Sequence, residues 1–291
     1  MSDTPPLCAA PDPSPRAPQV TVPDGATDCH FHIFDGPSPQ IAERSYTAPP
    51  APLDAFRHLH TTLRISRSVI VQPSVYGTDN RTTLAACDST PQMRAIVVVD
   101  EDTPPSTLAA YRKRGAVGCR VNMLFGSNAR IDSLCSLARH IADQGWHLQI
   151  LGDVSALGDR MDEFASLPVP VVFDHFGHLQ AIRGINDPGF RRLLRLLGSG
   201  AAWVKLSGAY RLGPAGAQTH RAVADRAAAL IAANPDQLGW GSDWPHPAIP
   251  QQDMPNDGDL LDALAGWAPD AALRRRILVD NPARLYGFDA A

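Results

Sequence analysis

Eight short apolar runs recur along this chain with amphipathic stretches between them, and that alternation limits the fold more than any other feature. The runs span residues 26–34, 67–72, 94–99, 117–122, 147–151, 169–174, 202–206 and 238–243. Several are rich in Val and Ile and bounded by Gly, Pro or Asp, the make-up of strands covered on both faces. The intervening stretches 132–144, 188–197, 220–233 and 270–277 are amphipathic; in the first, Leu134, Leu137, Ala138 and Ile141 fall at helical spacing. Strands alternating with helices in this way predict an α/β fold, a single (β/α)8 (TIM) barrel, which typically takes about 250 residues. A doubly wound open sheet is the alternative. No G-x-G-x-x-G follows any strand and no P-loop is present, so dinucleotide and ATP readings lack their motif.

The 291 residues are 44% apolar and 19% charged, a globular composition that can fill one such core. Residues 1–21 are expected to be a disordered Pro-rich arm and 22–291 the barrel. The first 23 residues hold seven prolines and no continuous apolar stretch, which fits neither a secretory signal nor a transit peptide. A second Pro-rich stretch, 37–52, reads as a long surface loop. The net charge of −4 offers no basic field for nucleic acid or an anionic membrane, and no run is long enough to cross a bilayer. Five cysteines without CxxC spacing suit a reduced, cytoplasmic protein.

In a barrel, chemistry gathers where strands end. The first run ends Asp28-Cys29-His30-Phe31-His32. Period-2 geometry sends His30 and His32 to one face and turns Cys29 to the other, into the layer between barrel and helices. Two imidazoles in a barrel mouth can ligate a metal or hydrogen-bond one oxygen; equally, they can be satisfied core histidines. The sixth run ends Asp174-His175-Phe176-Gly177-His178, where His175 could join the first pair, or Asp174 could cap a turn and simply bond His175. The eighth ends Trp240-Gly241-Ser242-Asp243-Trp244-Pro245-His246, which shields Asp243 behind bulky neighbours. His58 and His60 read as solvated histidines on a surface helix, and His140 and His147 as structural.

These strand-end segments, with Lys205-Leu206-Ser207-Gly208 and the closing run 277–288, stand in the order of the amidohydrolase superfamily. The chain from Val22 onward resembles its "amidohydrolase 2" branch, and within it the lactonases of 2-pyrone-4,6-dicarboxylate, sulfomuconolactone and sugar-acid lactones. That resemblance implies a hydrolase opening a small carboxylated lactone. His30, His32 and His175 would surround the carbonyl oxygen, and Asp243 would activate water and return the proton to the leaving oxygen. Arg120 and Arg211 match arginines that grip a substrate carboxylate, a task suited to a guanidinium fork. Ser74 and Tyr76 are further substrate-binding candidates, as is Tyr46 from the Pro-rich loop.

The chain also departs from the pyrone-dicarboxylate enzyme. Gly126 stands where a second arginine is expected, with Arg130 later in the chain, and the fifth run carries no tyrosine. Both departures favour a different lactone acid. Neither Lys113 nor Lys205 falls where the superfamily's two-metal sites place a bridging lysine. The expectation is therefore that no cofactor is required; the alternative is one Zn²⁺ or Mn²⁺ held by His30, His32, His175 and Asp243. A sugar-acid lactone isomerase, a metal-dependent decarboxylase and a catalytically silent anion-binding module are the competing functions.

Overall fold

The computed structural model describes residues 5–124 and 131–289. All eight expected strands form: β1 (Thr27–Phe31), β2 (Arg67–Val71), β3 (Met93–Val97), β4 (Ala116–Asn122), β5 (His147–Leu151), β6 (Val171–Phe173), β7 (Ala202–Ser207) and β8 (Leu238–Gly241). They lie in sequence order and pair in parallel, giving the TIM barrel. Between them run α1 (Leu53–Leu63), α2 (Arg81–Cys87), α3 (Pro105–Lys113), α4 (Ile131–Ala142), α5 (Val154–Leu157), α6 (Pro188–Gly198) and α7 (Ala217–Ala233); α8 (Asp257–Trp267) follows β8. The chain closes with α9 (Ala271–Arg275), a π-helical turn (Arg276–Asp280) and α10 (Asn281–Tyr286). Alternate strand residues divide the labour. Ala202, Val204 and Leu206 of β7 join the apolar core with the helices, whereas Lys205 bonds Gln149 of β5, which it can reach only across the barrel interior. Among the described residues no helix is long and apolar enough to cross a membrane.

The seam between β8 and β1 positions the site. Asp243 N donates to His30 O and His32 N to Trp244 O, each at 2.8 Å. The register of β1 on β2 slips between Asp28 and Phe31, and the Asp28 carboxylate takes up the backbone groups at that slip. Its Oδ1 accepts from the backbone N–H of His30 and of Ser242, both at 3.0 Å, and its Oδ2 from the Ser242 hydroxyl at 2.5 Å. Gly241 allows the strands to approach, since a Cβ there would stand 2.7 Å from His30 Cβ.

The same slip corrects the expected placement of Cys29. Rather than facing the helical layer, Cys29 packs with Val69, Val71, Ile96 and Tyr286. Burial pushes its thiol up to about 12, which leaves it unreactive. His60 is not a solvated surface residue either: its ring lies 4.0 Å from that of Phe56, and its Nε2 is 3.5 Å from Asp28 Oδ2.

Residues 5–21 are extended, as their prolines require, but they are tied to the barrel instead of loose. Cys8 N donates to Thr47 O and Thr47 N to Pro6 O, each at 2.8 Å. Further along, Gln19 N and Val20 N donate to Asp262 Oδ1 of α8 at 2.8 and 2.9 Å, and Arg16 pairs with Asp259. An extended chain leaves N–H groups without ladder partners, and the Asp262 carboxylate of α8 accepts two of them.

His147 lies buried inside the barrel, its ring 5.5 Å from that of Tyr286 and its Nε2 without a hydrogen-bond partner. Burial, reinforced by nearby Lys205, pushes its pKa from 6.5 down to about 3. As the pH falls below 6.5 the unfolded chain takes up a proton that the folded chain refuses, so stability is full above 6.5 and is lost towards 3. Between pH 7.5 and 5 this residue should remove about 2 kcal/mol of stability. Urea unfolding at both pH values checks it: the loss should be smaller in His147→Gln than in wild type. Equal losses in the two proteins would contradict the assignment.

Candidate active site

Strand ends of β1, β6 and β8 bring four of the sequence-predicted residues together. Three imidazole nitrogens converge on one carboxylate oxygen: Asp243 Oδ1 is 3.8 Å from His30 Nε2 and 3.9 Å from both His32 Nε2 and His175 Nε2. These separations exceed a hydrogen bond and leave the centre of the cluster open to a small guest. The backbone is bent to achieve this. Among the described residues, six of the seven non-glycine residues with positive φ lie on the loops after β6 and β8: His175, Phe176, His178, Asp243, His246 and Ala248. Such conformations persist only where the surroundings enforce them, and they concentrate at functional sites. Gly208, at φ +58, clears space beside the cluster, because a Cβ there would stand 2.7 Å from His175 Nδ1 and 3.2 Å from Asp243 Oδ2.

The Nδ1 edge of each ring is anchored. His32 Nδ1 donates to Val71 O at 2.7 Å, and His30 Nδ1 to Asp174 Oδ1 at 3.2 Å. With their protons on Nδ1, both rings present lone pairs at Nε2. His175 differs, since its Nδ1 meets the Ser207 hydroxyl at 2.9 Å. A hydroxyl can donate as well as accept, so His175 alone can carry its proton on Nε2. Asp174 therefore serves His30 and not His175, which rules out the alternative the sequence left open for His175. Its other oxygen accepts from Gln149 Nε2 at 3.0 Å, and Lys205 Nζ lies 3.5 Å from Oδ1.

Asp243 Oδ2 is fully engaged: Arg211 Nε donates to it at 2.5 Å and the Tyr210 hydroxyl at 2.7 Å. Burial by itself would raise the Asp243 carboxyl, but the Arg211 guanidinium, followed by the three imidazoles, holds it well below the usual carboxylate range. Burial also drives His32 and His175 well below 6.5, and lowers His30. At neutral pH the cluster is thus a carboxylate facing neutral rings.

Above it opens a cavity of about 400 Å³ whose walls include Tyr46, Ser74, Arg120, Leu151, His178 and Arg211. Four of the five predicted substrate-binding residues therefore face it. Tyr76 does not: it belongs to a 3-10 turn, Ser74–Tyr76, that turns its ring into the core beside Phe34, with its hydroxyl on Thr82. Arg120 approaches Asp174 at 3.7 Å and donates to Gln72 O at 3.3 Å, leaving donors for a ligand. Arg211 is committed in part to Asp243 and to Pro247 O, the latter at 2.9 Å. Gly126 and Arg130 lie outside the described residues. Sequence reasoning singled out the segment of Lys205 and Ser207 without giving either a place in the site, and it missed Gln149 and Tyr210. The adjacency of Tyr210 to Arg211 at the end of β7 was the available signal for one of them.

The histidines and Asp243 also offer the right atoms for a metal. His30, His32 and Asp243 place ligand atoms within 4.8 Å of one another, as do His30, Asp174 and His175. His30 Nε2 is buried with no hydrogen-bond partner, a lone pair left for a cation or a donor. Three nitrogens and one carboxylate oxygen form a donor set that fits Zn²⁺ or Mn²⁺.

Comparison with known proteins identifies the family of the chain. The amidohydrolase family model matches residues 27–288. A 4-sulfomuconolactone hydrolase from Hydrogenophaga intermedia is 34% identical over 97% of this chain and 95% of its own length. A 2-pyrone-4,6-dicarboxylate hydrolase from Comamonas testosteroni is 33% identical over 94% of this chain and 93% of its own. The crystal structure of a probable 2-pyrone-4,6-dicarboxylic acid hydrolase from Acinetobacter baumannii, with citric acid bound, superposes with a TM-score of 0.83 at 27% identity, covering 91% of this chain and all of that one. The chain belongs to the amidohydrolase family.

Proposed function

We propose that this protein hydrolyses a small carboxylated lactone, with Asp243 as general base and His30, His32 and His175 around the reacting oxygens. The observation that carries the reading is the convergence of three Nε2 atoms on Asp243 Oδ1 at 3.8 to 3.9 Å. Lactone opening needs an activated water and a partner for the developing oxyanion. With Oδ2 pinned by Arg211 and Tyr210, Oδ1 is the free basic oxygen. A water in the cluster donates one hydrogen to Oδ1 and can donate the other to the lone pair of His30 or His32. His175, with its proton on Nε2, is placed to donate to the carbonyl oxygen as negative charge builds there.

Water oxygen bonds to the carbonyl carbon while Asp243 takes the water proton. The ring C–O bond then breaks, and Asp243 returns that proton to the departing ring oxygen, leaving a new carboxylic acid. A Zn²⁺ or Mn²⁺ held by His30, His32, His175 and Asp243 would supply Lewis acidity and a more acidic water at the same place.

Arg120 binds the substrate carboxylate, and its placement in the wall of the cavity brings that group over the cluster. Leu151, at the end of β5, presents an apolar face to the same cavity. Together with the glycine at 126 it favours a lactone acid other than 2-pyrone-4,6-dicarboxylate.

A pH-indicator assay tests the reading on 4-sulfomuconolactone, 2-pyrone-4,6-dicarboxylate and sugar-acid lactones, with metal-stripped and with Zn²⁺- or Mn²⁺-loaded protein. Acid release is expected from at least one lactone, and Asp243→Asn should lower kcat by roughly 10²- to 10⁴-fold, the usual contribution of a general base. No acid from any lactone in any metal state would overturn the proposal. For the lactone turned over, Arg120→Leu should raise KM by roughly 10- to 100-fold, the loss of one or two charge-assisted hydrogen bonds. An unchanged KM in steady-state kinetics would remove Arg120 from the substrate site.

A further inference from the structure

Behind Asp243 the Tyr210 hydroxyl that pins Oδ2 begins a row of polar side chains, the rest of which the hydrolytic step leaves unused. The Tyr210 hydroxyl lies 2.7 Å from Asp243 Oδ2 and 2.8 Å from His246 Nδ1. His246 Nε2 in turn approaches Asp257 Oδ1 at 3.3 Å, and neither of these two buried atoms has a hydrogen-bond partner of its own. His246 and Asp257 are only 1% and 2% exposed. The row joins three separate elements: the turn after β7, the loop after β8 and the first turn of α8. Nothing about packing alone requires a half-buried tyrosine and two buried polar groups to line up end to end on a carboxylate.

The direction of the hydrogen bonds follows from counting protons. A carboxylate only accepts, so Tyr210 spends its one hydroxyl proton on Asp243 Oδ2. His246 must then carry a proton on Nδ1 and donate it to the tyrosine oxygen. With Nδ1 protonated, Nε2 faces the Asp257 carboxylate favourably only across a second proton, carried by Nε2 or by Asp257, and that shared proton orients the ring. The backbone at His246, with φ 59, is held in the left-handed region that places the ring there. Arg211 reaches the same carboxylate oxygen at 2.5 Å. Two donors reaching Oδ2 from separate side chains fix the plane of the carboxylate, which a single donor cannot do.

We infer that Tyr210, His246 and Asp257 form a positioning chain for the general base. They hold Asp243 Oδ2 so that Oδ1, and only Oδ1, is presented to water and to the three imidazoles. The inference rests on the reading of Asp243 as the base. It assigns these residues no contact with the reacting atoms; their effect passes through the orientation of the carboxylate.

Steady-state kinetics on the lactone turned over by wild type, with 4-sulfomuconolactone tried first, separate positioning from substrate binding. Tyr210→Phe, which removes one oxygen atom, and His246→Leu should each lower kcat roughly 10- to 100-fold while KM stays within about threefold. His246→Asn keeps an N–H near the position of Nδ1 and should recover most of the loss seen in His246→Leu. An unchanged kcat in Tyr210→Phe, a change confined to KM, or an Asn variant no better than Leu would overturn the chain while leaving the lactonase reading intact. A second readout does not depend on turnover. In ¹⁵N-histidine NMR, His246 should show a slowly exchanging proton on Nδ1 that is lost in Tyr210→Phe. If wild type opens no lactone, the functional reading fails and the spectrum alone decides. A His246 protonated only on Nε2, insensitive to Tyr210→Phe, would overturn the chain.

Discussion

The Asp243 carboxylate sits almost wholly inside the protein, 1% exposed, and the rest of the site is organised around keeping its charge there. Taking a carboxylate out of water is costly unless a cation and hydrogen-bond donors replace the lost hydration. Arg211 provides the permanent charge and Tyr210 a second donor, both on Oδ2. Everything that faces Oδ1 is different in kind. His30 and His32 present lone pairs, and only His175 can turn a proton inward. A carboxylate saturated on one oxygen and left with acceptors around the other has strong demand for a guest that brings hydrogens or positive charge. Water bound for attack is one such guest, and a divalent ion is another.

The barrel delivers this arrangement through its seam. Asp243 N bonds His30 O directly, so the base and the first imidazole are adjacent across β8 and β1. The slip in β1 brings His30 to face Asp174 and, with His32, the cluster, and Asp28 satisfies the backbone groups that the slip leaves over. Beneath the cluster, Lys205, Gln149 and Asp174 hold the Nδ1 side of His30. This buried network resists rotation of the ring, because each polar atom has few other partners to choose from. The N-terminal arm reaches the same region from outside: Cys8 bonds Thr47 next to Tyr46, and Cys8 Sγ accepts from Ala248 N at 3.1 Å.

Much of this was legible in the chain. Eight short apolar runs, several of them rich in Val and Ile, located eight strands to within a few residues, because a parallel barrel buries both faces of each strand. His30, His32, His175 and Asp243 stood out because polar groups at buried strand ends require partners. What escaped was whatever depends on neighbours distant in sequence. Period-2 alternation placed Cys29 with the helices, but a slip in register, invisible in one strand read alone, put it against Tyr286. Tyr76 looked like a donor by its position after β2, yet the turn it sits in rotates it into the core. The partnership of Asp174 with His30 instead of His175, and the Tyr210–His246–Asp257 row, arise only when separate strand ends meet.

The central claim is that water, activated at Asp243, attacks a lactone carbonyl. Turnover in H₂¹⁸O, followed by mass spectrometry of the product, tests it most directly. Hydrolysis predicts one ¹⁸O atom in each product molecule, in the newly formed carboxylate, and formation of that product slowed by the same large factor in Asp243→Asn. An isomeric lactone without ¹⁸O would show that a substrate hydroxyl attacks instead of water, and would contradict the account.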